Sequence, residues 1–142
     1  MLHYISFGSG SSGNCSFLFT ENDGLLIDAG VGVRALKRQF KDFGLHLSDV
    51  KNILITHDHA DHVKSVGSLS RDKDLPVWST PGVHVGINNN WCVRHKIAPE
   101  RVKYVQKGVT FQLGDFTVTP FGVPHDSVDN VGYCIEHGGV TF

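Results

Sequence analysis

A short apolar stretch of this chain runs directly into a dense group of titratable side chains. The stretch is Ile53-Leu54-Ile55, and after Thr56 it continues as His57-Asp58-His59-Ala60-Asp61-His62. Burying such groups without partners costs several kcal/mol, so a strand that delivers five of them within six positions needs a reason to do so. We therefore expect a buried strand whose end forms a functional site.

The spacing of these residues favours metal binding. Residues two apart in an extended segment point the same way, so His57 and His59 can both approach one metal ion. Asp61 and His62 follow where the chain turns into a helix, and they can face a second ion. Imidazole nitrogens and carboxylate oxygens are ligands of Zn²⁺, and Mn²⁺ or Fe also accept them. A solvated polar loop is the competing interpretation, and it suits a lone histidine better than this cluster.

Short apolar segments alternate with glycine-rich turns along the chain, which predicts one mixed α/β (α+β) domain over residues 1–142. The 16 glycines favour tight turns over long helices. The predicted strands cover residues 3–7, 16–19, 25–27, 50–56, 76–79, 102–105, 109–113, 116–123, 132–136 and 140–142.

Three helices are expected between these strands. One ends at Gly44, one begins near Asp61, and one begins at Thr80-Pro81, a capping residue followed by a proline at the first helical position. Both tryptophans, Trp78 and Trp91, are predicted to lie in the core. The residues predicted to face inward from the three helices are Val33, Leu36, Phe40 and Phe43; Val63, Val66 and Leu69; and Val83, Ile87 and Trp91.

Composition narrows the function classes. The net charge of −1 argues weakly against a dedicated DNA-binding module but leaves room for a local basic groove. No membrane span or signal peptide is expected. Three cysteines without CxxC spacing predict reduced thiols in a cytoplasmic protein. Five further histidines lack ligand spacing and are expected at the surface or hydrogen-bonded in the core: His3, His46, His84, His95 and His137.

The His-x-His-x-Asp-His run resembles the hallmark of the metallo-β-lactamase superfamily. Asp28 in Leu-Leu-Ile-Asp-Ala-Gly and His125 in Val-Pro-His-Asp are similar to two further motifs of that family. The resemblance implies that His125 joins His57 and His59 on one divalent ion, that Asp61 and His62 hold a second, and that Asp28 supports the site from outside the ligand shell.

A narrower resemblance points to the YycJ/WalJ-like branch, which implies 5′-to-3′ exonuclease action on DNA. It rests on residues 7–14, 56–63, 125–126 and 131–133. The backbone N–H groups of the Gly/Ser loop in residues 8–14 could hold a phosphate, although such loops are more often simple turns.

The implied chemistry is hydrolysis by a metal-activated water, with Asp61 and Asp58 as the candidate catalytic carboxylates and Asp58 as a proton shuttle. Asp126 either orients His125 or forms a turn. The same motif serves RNA, lactone and thioester substrates, so these stay open.

The family fold is a four-layer αββα sandwich, and the chain is expected to supply about its first half and to be truncated at its C-terminus. A bridging Asp after the strand at 140–142 and a later His of the family pattern are absent. A catalytically incomplete half that binds metal, or that pairs with a second copy as a homodimer, is therefore the non-enzyme alternative.

Overall fold

The computed structural model describes residues 1–8, 10, 13–123 and 130–142. Within them, six strands form a first sheet in which neighbours in sequence are neighbours in space. The first three strands pair antiparallel, and the last four pair parallel. In chain order the strands are β1 (His3–Gly8), β2 (Cys15–Phe19), β3 (Gly24–Ile27), β4 (Asn52–Leu54), β5 (Val77–Ser79) and β6 (Val102–Tyr104).

Four α-helices cross between the parallel strands and cover one face of this sheet. They are α1 (Val33–Asp42), α2 (Ala60–Val63), α3 (Val66–Lys73) and α4 (Pro81–Asn89). Each helix buries apolar residues against alternate positions of the strands, because side chains two apart on a strand share a face. This core includes Leu26, Ile53 and Val77 from the strands and Leu36, Phe40, Val63, Val66, Leu69, Val83 and Ile87 from the helices.

A second, antiparallel sheet covers the other face. Its order is β10-β9-β8-β7, with β7 (Phe111–Leu113), β8 (Phe116–Gly122), β9 (Val131–His137) and β10 (Val140–Thr141). Leu18, Leu25 and Leu54 of the first sheet pack here against Phe116, Val118 and Ile135 of the second. The described part of the chain thus builds a helix layer, a sheet and a second sheet, in agreement with the predicted α/β class.

The predicted elements are largely confirmed, with corrections to one helix, to Phe43 and to the length of strands such as β4 and β7, which begins only at Phe111. The helix expected near Asp61 is two helices, because the chain bends at Ser65, whose backbone N–H and hydroxyl donate to Ala29 O and Val31 O. Phe43 does not face the core; it caps the C-terminus of α1 and is 59% exposed. The strand predicted over residues 50–56 is shorter, since β4 covers only Asn52–Leu54.

The prediction for Trp91 is wrong, whereas that for Trp78 is closer. Trp91 is 88% exposed because α4 ends before it: the Asn90 side chain accepts from Cys92 N–H and donates to Asp58 O, which turns the chain away from the helix axis. Trp78 is half-buried and stacks on Phe111. None of the helices in the described ranges has the length and apolar character needed to cross a membrane.

Candidate metal centre

The polar cluster lies at the carboxyl ends of two adjacent parallel strands. Asp28 follows β3, and Thr56 and His57 follow β4 one strand away. Carboxyl ends of parallel strands meet at one edge of a sheet, where open α/β sheets commonly place their sites. The sequence therefore brings residues 28 and 57 together through strand pairing alone.

Asp28 organises the site from a buried position. It is 6% exposed and has φ of 63°, a left-handed conformation that costs a non-glycine residue roughly 1 kcal/mol. Its carboxylate accepts from Thr56 N–H at 2.8 Å, from the Thr56 hydroxyl at 2.7 Å and from His62 Nδ1 at 2.8 Å. Both oxygens are therefore engaged by protein groups, which suits a residue that holds ligands in place.

Thr56 connects this carboxylate to His57. Its hydroxyl donates to Asp28 Oδ2 and lies 2.6 Å from His57 Nδ1, so the Nδ1–H must be the donor in that second contact. His62 Nδ1 likewise donates to Asp28. In both rings the proton then sits on Nδ1, and Nε2 becomes the nitrogen with a lone pair for a metal.

Opposing effects act on the pKa of His62. Burial is the largest single effect and lowers it, but the hydrogen bond to Asp28 and the charges of Asp28 and Asp61 together outweigh burial, so the pKa is raised. In the metal-free chain these carboxylates attract a positive charge at this position. A proton or a metal cation can supply that charge.

The structure brings four of the predicted residues close together. One potential metal-ligand atom from each of Asp28, His57 and His62 lies within 4.8 Å of the other two. The centroids of the His57 and His62 rings are 4.4 Å apart. Asp61 Oδ2 lies 3.7 Å from His62 Nε2. His59 lies further out, with its ring 6.0 Å from that of His57 and its side chain 51% exposed.

Two predicted site residues, His125 and Asp58, are not part of this group. His125, like Asp126, lies outside the described residues. Asp58 is described: its carboxylate lies 3.9 Å from His59 Nε2 and packs so closely on Gly86 of α4 that a Cβ there would meet it at 1.9 Å. The catalytic role of Asp58 stays a prediction.

Asn14 is a site residue that the sequence analysis did not single out. Its side-chain amide donates to Asp61 Oδ2 at 3.1 Å and to Asp61 O at 3.2 Å, and its backbone N–H donates to the same carbonyl at 2.7 Å. The Gly/Ser loop thus ends in a residue that positions Asp61. The signal was its place in that loop, but the loop's serines at 9, 11 and 12 lie outside the described residues, so its expected phosphate contact stays a prediction.

The thiol of Cys15 is not available to this site as a nucleophile. Cys15 is 1% exposed, and burial raises the pKa of its thiol, with the charge of Asp28 acting in the same direction. A buried thiol held protonated is unreactive.

The family model described as "Beta-lactamase superfamily domain" matches residues 24–142, which include both Asp28 and the whole histidine cluster. The chain belongs to the beta-lactamase superfamily. Among solved superfamily structures, a subclass B3 metallo-β-lactamase with an active-site glutamic acid superimposes with a TM-score of 0.79 at 17% identity, over 97% of this chain and 56% of that one. This likeness shows the fold, and it confirms the predicted metallo-β-lactamase architecture.

Two curated superfamily relatives are nucleases by name. Exodeoxyribonuclease YycJ of Bacillus anthracis is 35% identical over 140 residues, which is 96% of this chain and 50% of that protein. Ribonuclease J of Helicobacter pylori is 25% identical over 134 residues, 87% of this chain and 19% of that protein. The expected resemblance to the YycJ-like branch is confirmed. The chain spans half the length of the YycJ relative.

The donor set fits the divalent metals that this superfamily binds. Two imidazoles have their Nδ1 protons held by Thr56 and Asp28, and the Asp61 carboxylate is oriented by Asn14. Metal-bound histidines almost always show this pattern, with the second nitrogen donating to a carboxylate or another acceptor. The hydrogen bonds of His57 and His62 follow this pattern.

Proposed function

We propose that this chain carries the metal centre of a metal-dependent hydrolase that cleaves phosphodiester bonds in DNA as a 5′-to-3′ exonuclease. The observation that carries the proposal is the Asp28-Thr56 network, which orients the rings of His57 and His62 and leaves His62 Nε2 beside Asp61. The nuclease names of the two curated relatives support the substrate class.

Two divalent ions, Zn²⁺ first and Mn²⁺ or Fe as alternatives, are the proposed cofactors. His57, His59 and His125 would hold one ion, and Asp61 and His62 the other. Bound ions would supply an acidified water for attack and would stabilise negative charge on the phosphoryl oxygens. Asp28 keeps the His62 ring in place and, through Thr56, the His57 ring as well.

Hydrolysis also requires protonation of the leaving oxygen, and Asp58 is the candidate proton donor. Its carboxylate is held between His59 and α4 and is 38% exposed, so it can exchange protons with solvent. Asp61 is the second candidate catalytic carboxylate, and it lies beside His62. The two aspartates are three positions apart in the motif.

RNA is the second candidate substrate, because a ribonuclease J is among the relatives. Lactones and thioesters, in contrast, have only the shared motif in their favour. A chain that binds metal without catalysis, alone or as a pair of copies, is the non-enzyme alternative, and light scattering distinguishes a pair from a monomer. We place the protein in the cytoplasm, since all three cysteines are unpaired within the described ranges.

The test combines metal content with nuclease assays on the purified chain. We expect near-stoichiometric Zn or Mn, release of nucleotides from 5′-labelled single-stranded DNA, and loss of both in a His57→Ala/His59→Ala double variant. The matched control is His3→Ala/His46→Ala, which removes two histidines outside the cluster. Metal bound without cleavage of DNA would contradict the enzymatic proposal, and faster cleavage of RNA than of DNA would replace the substrate.

A further inference from the structure

The loop that follows α4 presents an exposed indole beside the metal motif. Trp91 is 88% exposed, although its loop is firmly anchored. The Asn90 amide donates to Asp58 O at 2.8 Å, and Val93 on the other side is 2% exposed. A large aromatic ring held in water on a fixed loop gains nothing for the fold, so its exposure points to a binding role.

Two surface depressions meet at this loop, and both begin at the metal motif. One, of about 480 Å³, is lined by Asp61, Lys64, Arg94 and Trp91. The other, of about 530 Å³, is lined by Asp58, His59 and again Trp91. The indole therefore stands between two depressions within the 300–1,000 Å³ range usual for ligand sites, each of which includes a residue of the candidate centre.

The two depressions differ in charge. Lys64 and Arg94 are exposed and belong to the Asp61 side, whereas the residues lining the other side include no lysine or arginine. Within the described ranges, neither Lys64 nor Arg94 takes part in an ion pair. In a chain with a net charge of −1, two unpaired cations beside a metal centre form a local site for anions.

We infer that Trp91, Lys64 and Arg94 form a platform for single-stranded DNA, in which the indole stacks on a base and the two cations contact backbone phosphates beside the scissile bond. The DNA identity rests on the proposed function, while the aromatic-plus-cation arrangement is observed here. Aromatic stacking with cationic backbone contacts is the usual way to hold single strands without reading their sequence. Such tolerance is what an exonuclease that degrades any sequence requires.

The first experiment measures binding separately from cleavage. The chain is titrated with a fluorescein-labelled oligo(dT) in EDTA, and anisotropy gives the affinity. We expect Trp91→Ala to weaken binding by about tenfold, in line with loss of one stacked base, and Trp91→Phe to recover most of it. Tyr104→Ala is the matched control, since Tyr104 is 61% exposed and lines neither depression.

Intrinsic fluorescence adds a direct readout of stacking. The chain has two tryptophans, and Trp78 is packed on Phe111, so the exposed Trp91 is the one that unlabelled oligo(dT) can reach. We expect the oligonucleotide to quench the wild-type emission and to leave Trp91→Phe unquenched. A change of fold alone would not remove quenching while affinity is retained.

The cations are tested through the salt dependence of binding. Each phosphate contact on a single strand contributes about 0.7 to the slope of log affinity against log salt. We expect Lys64→Gln/Arg94→Gln to reduce the slope by about 1.4, and the control Lys37→Gln/Lys41→Gln on the exposed face of α1 to leave it unchanged.

Several results would overturn the platform: no oligo(dT) binding by the wild-type chain, or wild-type affinity, quenching and salt slope in the variants. Failure of the proposed function has a different signature. Hydrolysis of bis(p-nitrophenyl) phosphate by the metal-loaded wild-type chain requires the metal centre and no DNA platform. Its absence together with Trp91-dependent DNA binding would leave the platform standing and remove the hydrolase.

Discussion

At the scale of single residues, the candidate site is organised by two short side chains, Asp28 and Thr56. Asp28 accepts three hydrogen bonds. One comes from the Thr56 hydroxyl, whose oxygen in turn accepts from His57 Nδ1–H. Together they select the Nδ1-protonated form of both rings. Hydrogen-bond partners of a ligating histidine raise its affinity for metal. A freely rotating imidazole must lose entropy and adopt one tautomer before it can bind, and these partners fix both in advance.

Thr56→Val tests this link. Valine keeps the shape but removes the hydroxyl between Asp28 and His57, so we expect metal affinity to fall on the order of 10–100-fold, as is typical when an outer partner is lost. Competition with a chromogenic chelator measures the affinity, and thermal unfolding of the metal-free chain checks the fold. Thr56→Ser, which retains the hydroxyl, should bind metal like the wild type. Equal affinity in the valine variant would show that Thr56 does not orient the ring.

At the scale of elements, the site is assembled by close contacts between loops. Asn14 N–H donates to Asp61 O, Gly30 N–H donates to Asn14 O, and Ala29 N–H donates to His62 O. The turn after β3 thereby holds the start of α2, which carries Asp61 and His62. Gly30 allows this approach because a Cβ at that position would meet Asp61 O at 1.7 Å.

Gly30→Ala should therefore push Asp61 away from its place. We expect a loss of about 1–3 kcal/mol in the free energy of unfolding, the usual cost of overpacking, together with weaker metal binding. Urea unfolding in EDTA and chelator competition measure the two effects. Gly32→Ala is the matched control, because a Cβ at Gly32 meets nothing within 4 Å, and its effect should stay within about 0.5 kcal/mol. A wild-type stability in Gly30→Ala would contradict the close contact.

At the scale of the whole molecule, the second sheet contacts the segment that leads into the candidate site. Val131 N–H donates to Thr56 O, and the Tyr133 hydroxyl donates to Ile55 O, so β9 contacts the end of the segment that leads into the histidine cluster. The apolar layer between the sheets holds these contacts in register. Its largest fully buried side chain is Phe116 of β8.

Replacing this residue should loosen both sheets. For Phe116→Ala we expect a loss of about 3–5 kcal/mol in the free energy of unfolding, the usual cost of removing a buried phenylalanine. Phe121→Ala on the same strand is the control, since Phe121 is 45% exposed and should cost far less. Urea unfolding monitored by circular dichroism measures both. Similar losses in the two variants would mean that the layer between the sheets does not bear the stability.

Much of the fold could be predicted because its causes are local. The apolar residues Ile53 and Leu54 form a strand as predicted, and Thr80 accepts from Val83 N–H as its position before Pro81 predicted. His84 was expected either at the surface or hydrogen-bonded in the core; it is buried, with Nε2 2.8 Å from Lys103 O. Helix ends were harder, since Phe43 and Trp91 continue the apolar spacing although their helices stop before them.

The candidate site, too, has residues that the sequence made recognisable and residues that only the tertiary structure revealed. The histidine cluster was recognisable because its residue types and spacing are those of metal ligands, and Asp28 was recognisable through its resemblance to a family motif. Asn14 and Thr56 were not, because a lone asparagine or threonine has no pattern of its own. Their roles arise from contacts across 47 and 28 positions of the chain.

The sequence by itself determined which residues are candidate metal ligands and which short segments form most strands and helices, since both follow from side-chain chemistry and local periodicity. Only the tertiary structure decided which groups orient those ligands and that Trp91 stands exposed beside them. Those properties depend on where the ends of separate strands and helices meet, and hydrogen bonds and packing between distant parts of the chain set those positions.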